Sequence, residues 1–374
     1  MGKAPLILFI VFCFLSCGEN PDTVSHNRPQ EPRPPYPYRV EEVRFFNERD
    51  GAALAGTLTI PDSGDFFPAA VLITGAGLQD RDETVYGHKP FLVLADFLTR
   101  RGIAVLRYDD RSVGGSTGEL ENTTPEDFAR DAYAGVLYLR SRHDLPLHRI
   151  GLIGHSMGAV EGMILAGGQE KIDFLVMLGG PGIPLYRNMI DSNDENQRRM
   201  GKSETVVFAG RQLMENLFRT IRLENSQQTR KQKLKQIVQS WRDSLQGEAK
   251  DEVERFTVSS PDYWENMADE YSTPYFRFVA HFDPVPVLQK IQCPVLSLIG
   301  DKDVQTLPVE NSLAIRDALE QGRNRDFRVE ILKDINHLFQ KCETGLIIEY
   351  ARIEETFNTE VMKIISEWIR EREE

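Results

Sequence analysis

Apolar residues along this chain fall into two kinds of pattern. Short runs with little or no polar interruption occur at Ala69–Ile73, Ile103–Leu106, Ile150–Ile153, Phe174–Leu178 and Pro294–Ile299. Between them apolar positions recur at helical spacing, as in Phe91, Leu94, Ala95 and Leu98, and again in Phe128, Ala132, Val136 and Leu139. A short continuous run bounded by turn residues reads as a strand buried on both faces. Strand alternating with helix predicts a parallel sheet with right-handed crossovers. The chain ahead of the first run differs. From Tyr38 to Ile60, Val40, Val43 and Phe45, then Leu54, Gly56 and Leu58, alternate with other residues about a turn at Asn47–Gly51. That predicts an antiparallel hairpin.

The alternation stops at Gly182. For roughly a hundred residues the sequence is charged and helix-favouring, with Leu234, Ile237, Val238, Trp241 and Leu245 marking one amphipathic helix. Its place in the chain predicts a helical cap over 182–287, inserted into a core made of 38–181 and 288–374. Tyr263, Trp264, Tyr271, Tyr275 and Phe276 are candidates for an acyl pocket, although aromatics at such spacing commonly just pack. After Ile299 a half-buried strand is expected, with Phe327, Val329 and Ile331 inward, and Val361, Ile364, Ile365 and Trp368 mark a terminal helix.

The N-terminus carries a different signal. Lys3 precedes Leu6–Leu15, an uncharged stretch about half as long as a bilayer-spanning helix requires, so residues 1–16 read as a signal peptide. Ser16-Cys17 resembles the bacterial lipobox, in which the cysteine is lipidated and becomes the mature N-terminus. Phe14 and Leu15 are bulkier than that pattern, and plain secretion is the alternative. Residues 17–37 hold six prolines and read as an extended, solvated tether. The expected protein is therefore exported to a bacterial cell envelope and anchored in a membrane through lipid on Cys17.

Composition narrows the field. The chain has 374 residues, 27% of them charged, and a net charge of −13. No basic stripe is available to neutralise phosphates, which argues against a nucleic-acid partner. Apart from Cys13 and Cys17 only Cys293 and Cys342 remain, placed at opposite ends of the expected sheet. Neither a disulfide nor a metal site is expected.

The chemistry centres on Gly154-His155-Ser156-Met157-Gly158, which follows one of the buried runs and precedes a helix-compatible segment. In that context G-x-S-x-G is a nucleophile elbow. The turn lifts the serine hydroxyl above the sheet, and the Met157 amide at the helix start faces a developing oxyanion. A serine needs an imidazole to take its proton and a carboxylate to orient that imidazole. His26 lies in the tether, His148 at the far end of the nucleophile strand, and His155 diverges from Ser156 within the elbow. In this arrangement the base follows the acid in chain order, which disfavours His88, His143 and His281. His337 remains, on the loop after the last strand. The acid belongs to Gly300-Asp301-Lys302-Asp303, where Asp301 is placed to bond turn amides and Asp303 to reach the ring. The second oxyanion amide is expected from Ala76, with Gly77 and Leu78 close behind.

With these segments in place the chain resembles the α/β-hydrolase superfamily, and within it bacterial carboxylesterases related to dienelactone hydrolases. The resemblance runs from about Tyr38 to the C-terminus. It is carried by Gln79-Asp80-Arg81-Asp82-Glu83, Gly87-His88-Lys89-Pro90-Phe91, Asp109-Asp110-Arg111, the elbow, Gly300-Asp301-Lys302-Asp303 and Asn336-His337-Leu338-Phe339-Gln340. It implies a mostly parallel sheet with an antiparallel N-terminal hairpin and a helical cap. It also implies a cofactor-independent triad of Ser156, Asp303 and His337, with a small-molecule ester as substrate. Ser112 departs from it, since Asp-x-Arg is there followed by glycine. A peptidase or amidase using the same triad is the alternative, and would need acidic groups such as Glu265, Asp269 or Glu270 for an amino terminus. A fold used only for binding is disfavoured because all three triad residues are present.

Overall fold

A computed structural model describes residues 27–372 apart from 63, 65 and 261. The expected signal peptide, Cys17 and the first part of the tether lie outside the described residues. Eight strands form one sheet in the order β1-β2-β4-β3-β5-β6-β7-β8. They are β1 (Tyr38–Asn47), β2 (Ala52–Pro61), β3 (Phe67–Ile73), β4 (Ala104–Tyr108), β5 (Leu147–His155), β6 (Leu175–Leu178), β7 (Val295–Gly300) and β8 (Phe327–Leu332). The hairpin β1-β2 is antiparallel, β2 joins β4 antiparallel, and every later pairing is parallel.

The continuous apolar runs are explained by burial on both sides. In β3, Ala69, Val71 and Ile73 face one core while Ala70 and Leu72 face the other. The first core is closed by α2 (Pro125–Ser141), α3 (Met157–Ala166) and α11 (Pro308–Gln321), the second by α1 (Pro90–Thr99) and α13 (Thr359–Arg370). Side chains that alternate across the pleat therefore all find apolar neighbours. The edge strand behaves otherwise. Phe327 and Val329 pack against the first core as expected, but Ile331 is 43% exposed. An edge strand has a neighbour on one side only, and cover runs out towards its end.

Between β6 and β7 the chain is helical: α4 (Leu185–Arg199), α5 (Glu204–Leu223), α6 (Gln227–Ser244), α7 (Gly247–Ser259), α8 (Tyr263–Tyr271), α9 (Pro274–His281) and α10 (Val285–Leu288). Leu213, Leu217 and Ile221 of α5 and Leu234, Val238 and Trp241 of α6 are buried within it. The short α12 (Ile347–Tyr350) precedes α13.

Part of the stretch expected as a solvated tether is docked on the body. Arg28 donates to the carbonyls of Gly87 and Ala351 at 3.0 Å each, and to that of Ile353. Gln30 donates to the Phe357 carbonyl at 2.7 Å and accepts from its amide at 3.0 Å. Proline-rich composition does not reveal such bonds, because they need only two polar side chains and free backbone groups opposite. Cys293 and Cys342 are free thiols.

Candidate active site

Ser156 stands between the end of β5 and the start of α3 with φ 54° and ψ −113°. A non-glycine residue rarely adopts that backbone, and the surroundings must enforce it. Two close approaches do so. A Cβ on Gly154 would lie 2.2 Å from the Gly158 carbonyl oxygen, and one on Gly158 would lie 2.2 Å from that of Ile73. Only glycines let the elbow close this tightly. The Ser156 amide donates to the Leu178 carbonyl at 2.8 Å, tying the turn to β6.

His337 and Asp303 are joined directly. His337 Nδ1 lies 2.7 Å from Asp303 Oδ2, and both side chains are buried. Asp303 Oδ1 accepts from the amides of Gln305 and Thr306 at 2.8 Å each, so the carboxylate is fixed at both oxygens. An Nδ1–H held by a carboxylate leaves Nε2 with its lone pair free to accept a proton. Asp301 is engaged elsewhere: its Oδ1 accepts from the Asp334 amide at 2.7 Å. The His337 loop is braced by Asn336 and Gln340, whose side chains bond each other at 2.9 Å, and by the Gln340 amide on Asn336 Oδ1 at 2.9 Å.

Among the described residues no hydrogen bond joins Ser156 Oγ to His337. Their loops are brought together through His155. Its Nε2 lies 2.9 Å from the His337 carbonyl oxygen and its Nδ1 2.8 Å from Glu83 Oε1, which also accepts from the Gly75 amide at 2.7 Å. Burial opposes charge on the His155 ring, yet the Glu83 carboxylate, the His337 carbonyl and the Asp303 charge together hold its pKa above the ordinary value. His155 does diverge from Ser156, and that divergence lets it clamp three loops. Sequence reasoning assigned no role to His155 or Glu83. The available signal was Glu83 itself, a charged residue in the run just after a glycine-rich loop.

Met157 is the first residue of α3, so its amide has no partner inside the helix. The Ala76 and Gly77 amides also donate to no described residue, and both residues line a small cavity together with Met157. Leu78 does not line it. The loop is held from below by Asp110, which accepts from Thr74 Oγ1 at 3.0 Å and the Gln79 amide at 2.9 Å. Burial above all, then neighbouring carboxylates, push the Asp110 carboxyl up to about 8. Asp109 grips Arg81 through two bonds of 3.0 and 2.9 Å. Ser112, which stands where the resembling family has glycine, adopts φ 63°, and its hydroxyl donates to the Gly118 carbonyl. Local hydrogen bonding thus holds a serine in a conformation that glycine adopts freely.

Above Ser156 opens a cleft, its walls supplied by Leu185, Met189, Met214 and Val279 of the helical insertion and by Gln305 and Thr306 from beside Asp303. Of the candidate pocket aromatics, only Tyr275 lines either cavity. Tyr263 and Trp264 pack edge to face, and Tyr271 stacks on Phe276 at 4.1 Å. Glu265 and Asp269 pair with Lys235 and Lys231 towards solvent, whereas Glu270 is half-buried and burial pushes its carboxyl up to about 8. Among the described residues, no three His, Cys, Asp or Glu side chains converge to hold a metal ion.

Comparison with known proteins agrees with this architecture. A model of the alpha/beta hydrolase fold matches residues 70–340. Esterase EstD of Thermotoga maritima is 27% identical over 310 residues, which span 82% of this chain and 64% of that protein. The chain thus matches somewhat less than two thirds of the relative's length. An esterase structure from Pyrococcus furiosus superposes with a TM-score of 0.54 at 16% identity, covering 89% of this chain and 91% of that one. A proline iminopeptidase structure from Mycobacterium smegmatis gives 0.51 at 14% identity, covering 88% and 98%. At such identities these likenesses concern the fold alone, and the fold serves both chemistries.

Proposed function

The chain belongs to the alpha/beta hydrolase fold family, and on that premise we propose that it is a serine hydrolase cleaving carboxylic esters through an acyl-enzyme. The observation that carries the proposal is the buried His337–Asp303 pair at 2.7 Å, beside a serine held at φ 54° under an apolar cleft. Ser156 Oγ attacks the ester carbonyl while His337 Nε2 takes its proton. Asp303 holds the ring in the required tautomer and faces the imidazolium that forms. The carbonyl oxygen gains charge beside the Met157 and Ala76 amides, with Gly77 adjoining, and unbonded amides there need no rearrangement to receive it. The tetrahedral adduct collapses, and His337 returns its proton to the departing alkoxide. Water then repeats the sequence on the acyl-enzyme. The relative named as an esterase supports an ester substrate over other acyl compounds.

A fluorophosphonate should label Ser156, and p-nitrophenyl esters from acetate to palmitate should be hydrolysed. Ser156→Ala should lower kcat by roughly 10⁴-fold or more with the melting temperature kept. Activity within tenfold of wild type would overturn the mechanism.

We also propose that Cys17 carries a lipid anchor at a bacterial cell envelope, supported by the uncharged Leu6–Leu15 segment ending in Ser16-Cys17. The full chain expressed in a bacterium should fractionate with membranes, and Cys17→Ser should release it or block processing. A soluble mature protein beginning elsewhere than Cys17 would refute the anchor.

A further inference from the structure

The small cavity beside the candidate oxyanion amides contains groups that ester cleavage does not require. Besides Ala76, Gly77 and Met157, its walls include Asp110 from the end of β4, Glu161 from α3 and Tyr275 from α9. Glu161 lies one helical turn beyond Met157, so both face the same side of α3. Its side chain has no hydrogen-bond partner among the described residues, although the residue is only 6% exposed. Tyr275 is equally buried, and its hydroxyl has no partner either. No lysine or arginine lines the cavity. The nearby Arg111 is taken up by Asp131 through bonds of 2.7 and 2.8 Å. The Tyr275 hydroxyl is thus buried without a partner, and the Glu161 carboxyl faces the same cavity with none, an arrangement that costs stability unless something else satisfies them.

The electrostatics indicate what that is. Burial first, then the charges of Asp110 and Asp131, raise the Glu161 carboxyl well above its ordinary value. Burial, Glu161, Glu270 and Asp110 likewise raise the Tyr275 phenol. Carboxyl groups crowd here, each opposing ionisation of the next, and Arg111, the cation that acts on Glu161, is paired with Asp131. A positive charge would relieve all of them at once. The cavity has room for a group about the size of a water molecule, which an ammonium matches.

We propose that this cavity is a subsite for a compact ammonium group carried on the acyl part of the substrate. The proposal deepens the ester-cleaving function above and rests on it. The ammonium donates to the Glu161 carboxylate, the Tyr275 hydroxyl oxygen and Asp110, and the proton that Glu161 held passes to solvent. The acyl side follows from the layout. The leaving group must lie within reach of His337, on the flank of the large cleft where Gln305 and Thr306 bond Asp303. The small cavity lies instead at the Ala76 and Met157 amides, with neither Gln305 nor Thr306 in its lining, where a substituent near the acyl carbonyl reaches.

The test compares alanine p-nitrophenyl ester with p-nitrophenyl propionate, whose acyl groups differ only by the ammonium. Each kcat/KM is divided by the ester's own rate of hydroxide hydrolysis. Wild type should prefer the alanine ester by at least about tenfold, as expected for a charge-assisted contact. In Glu161→Gln the preference should fall to about one, with fluorophosphonate labelling of Ser156 confirming that the variant is folded. If that variant does not fold, Tyr275→Phe takes its place and should lower the preference at least about threefold. A wild-type preference near one, or one kept in the folded variants, would overturn the subsite and leave ester cleavage standing. Absence of hydrolysis of both esters, with no labelling of Ser156, would bring down both.

Discussion

The loops at the sheet's edge and the helices above them treat buried polar groups in opposite ways. Below, around Ser156, the side chains that fix the loops are engaged. Asp303 is bonded at both oxygens, His155 at both ring nitrogens, and Glu83 Oε1 serves two donors. Above, in α4 and its neighbours, Asn193 and Gln197 are buried with both ends of their amides unpartnered, as are Glu270 Oε1 and the Tyr275 hydroxyl. A saturated network has one arrangement and holds a geometry for chemistry. An unsaturated one costs stability while keeping bonding capacity for something else. Under the proposed function, reaction type belongs to the core loops and selectivity to the helices.

The largest effect should come from breaking the saturated side at its acid. Asp303→Asn should lower kcat by about 10⁴-fold with the fold kept, because an amide favours the wrong imidazole tautomer. Asp301→Asn should keep its rate and lose about 1 kcal/mol of stability, the worth of its bond to the Asp334 amide. Steady-state kinetics and denaturant melts on the pair check this, and the reverse pattern in kcat would move the acid to Asp301.

A smaller effect is expected one bond further out. Glu83→Gln should lower kcat by about 10²-fold, since a loosened His155 lets the His337 loop shift. The same variant has a signature in pH. Because the folded His155 pKa lies above its ordinary value of about 6.5, its charge stabilises the fold fully below that pH. The contribution is lost as pH rises through the folded value. Wild type should therefore lose stability across that window, and Glu83→Gln should show a flatter profile of melting temperature against pH. A slope unchanged by the substitution would make Glu83 a packing residue only.

The smallest effect should come from the unsaturated side, with its sign reversed. Asn193→Leu replaces a buried amide lacking partners by an apolar side chain of similar size. It should raise stability by about 1 kcal/mol in urea unfolding and change KM more than kcat, since Asn193 lines the cleft. A loss of stability would mean that the amide is satisfied in solution, which would erase the contrast between the two regions.

Features that depend on neighbours in the chain were legible in the sequence. The apolar runs, the hairpin, the helical insertion and the elbow each follow from residues a few positions apart, where periodicity and glycine sterics act. The glycines flanking Ser156 were readable because any Cβ there meets backbone within the same turn or the adjoining strand. The candidate histidine and acid were narrowed by chain order, which the fold imposes before any contact forms.

What joins distant segments was settled only by the tertiary structure. Position in the loop separates Asp301 from Asp303 only as an expectation, and the partners themselves, Asp334 for one and His337 for the other, arrive with the sheet. Arg28 and Gln30 look like tether residues until the backbone at 351–357 lies opposite them. Glu83 becomes a clamp only because β5 carries His155 alongside the loop after β3. Glu161 reads as one polar residue on a helix until Asp110 and Tyr275 arrive from other elements to enclose it. Hydrogen bonds and carboxyl pKa values are set by whichever groups come within a few ångströms. Along the chain those groups lie tens to hundreds of residues apart, so only the folded sheet and its helices bring them together.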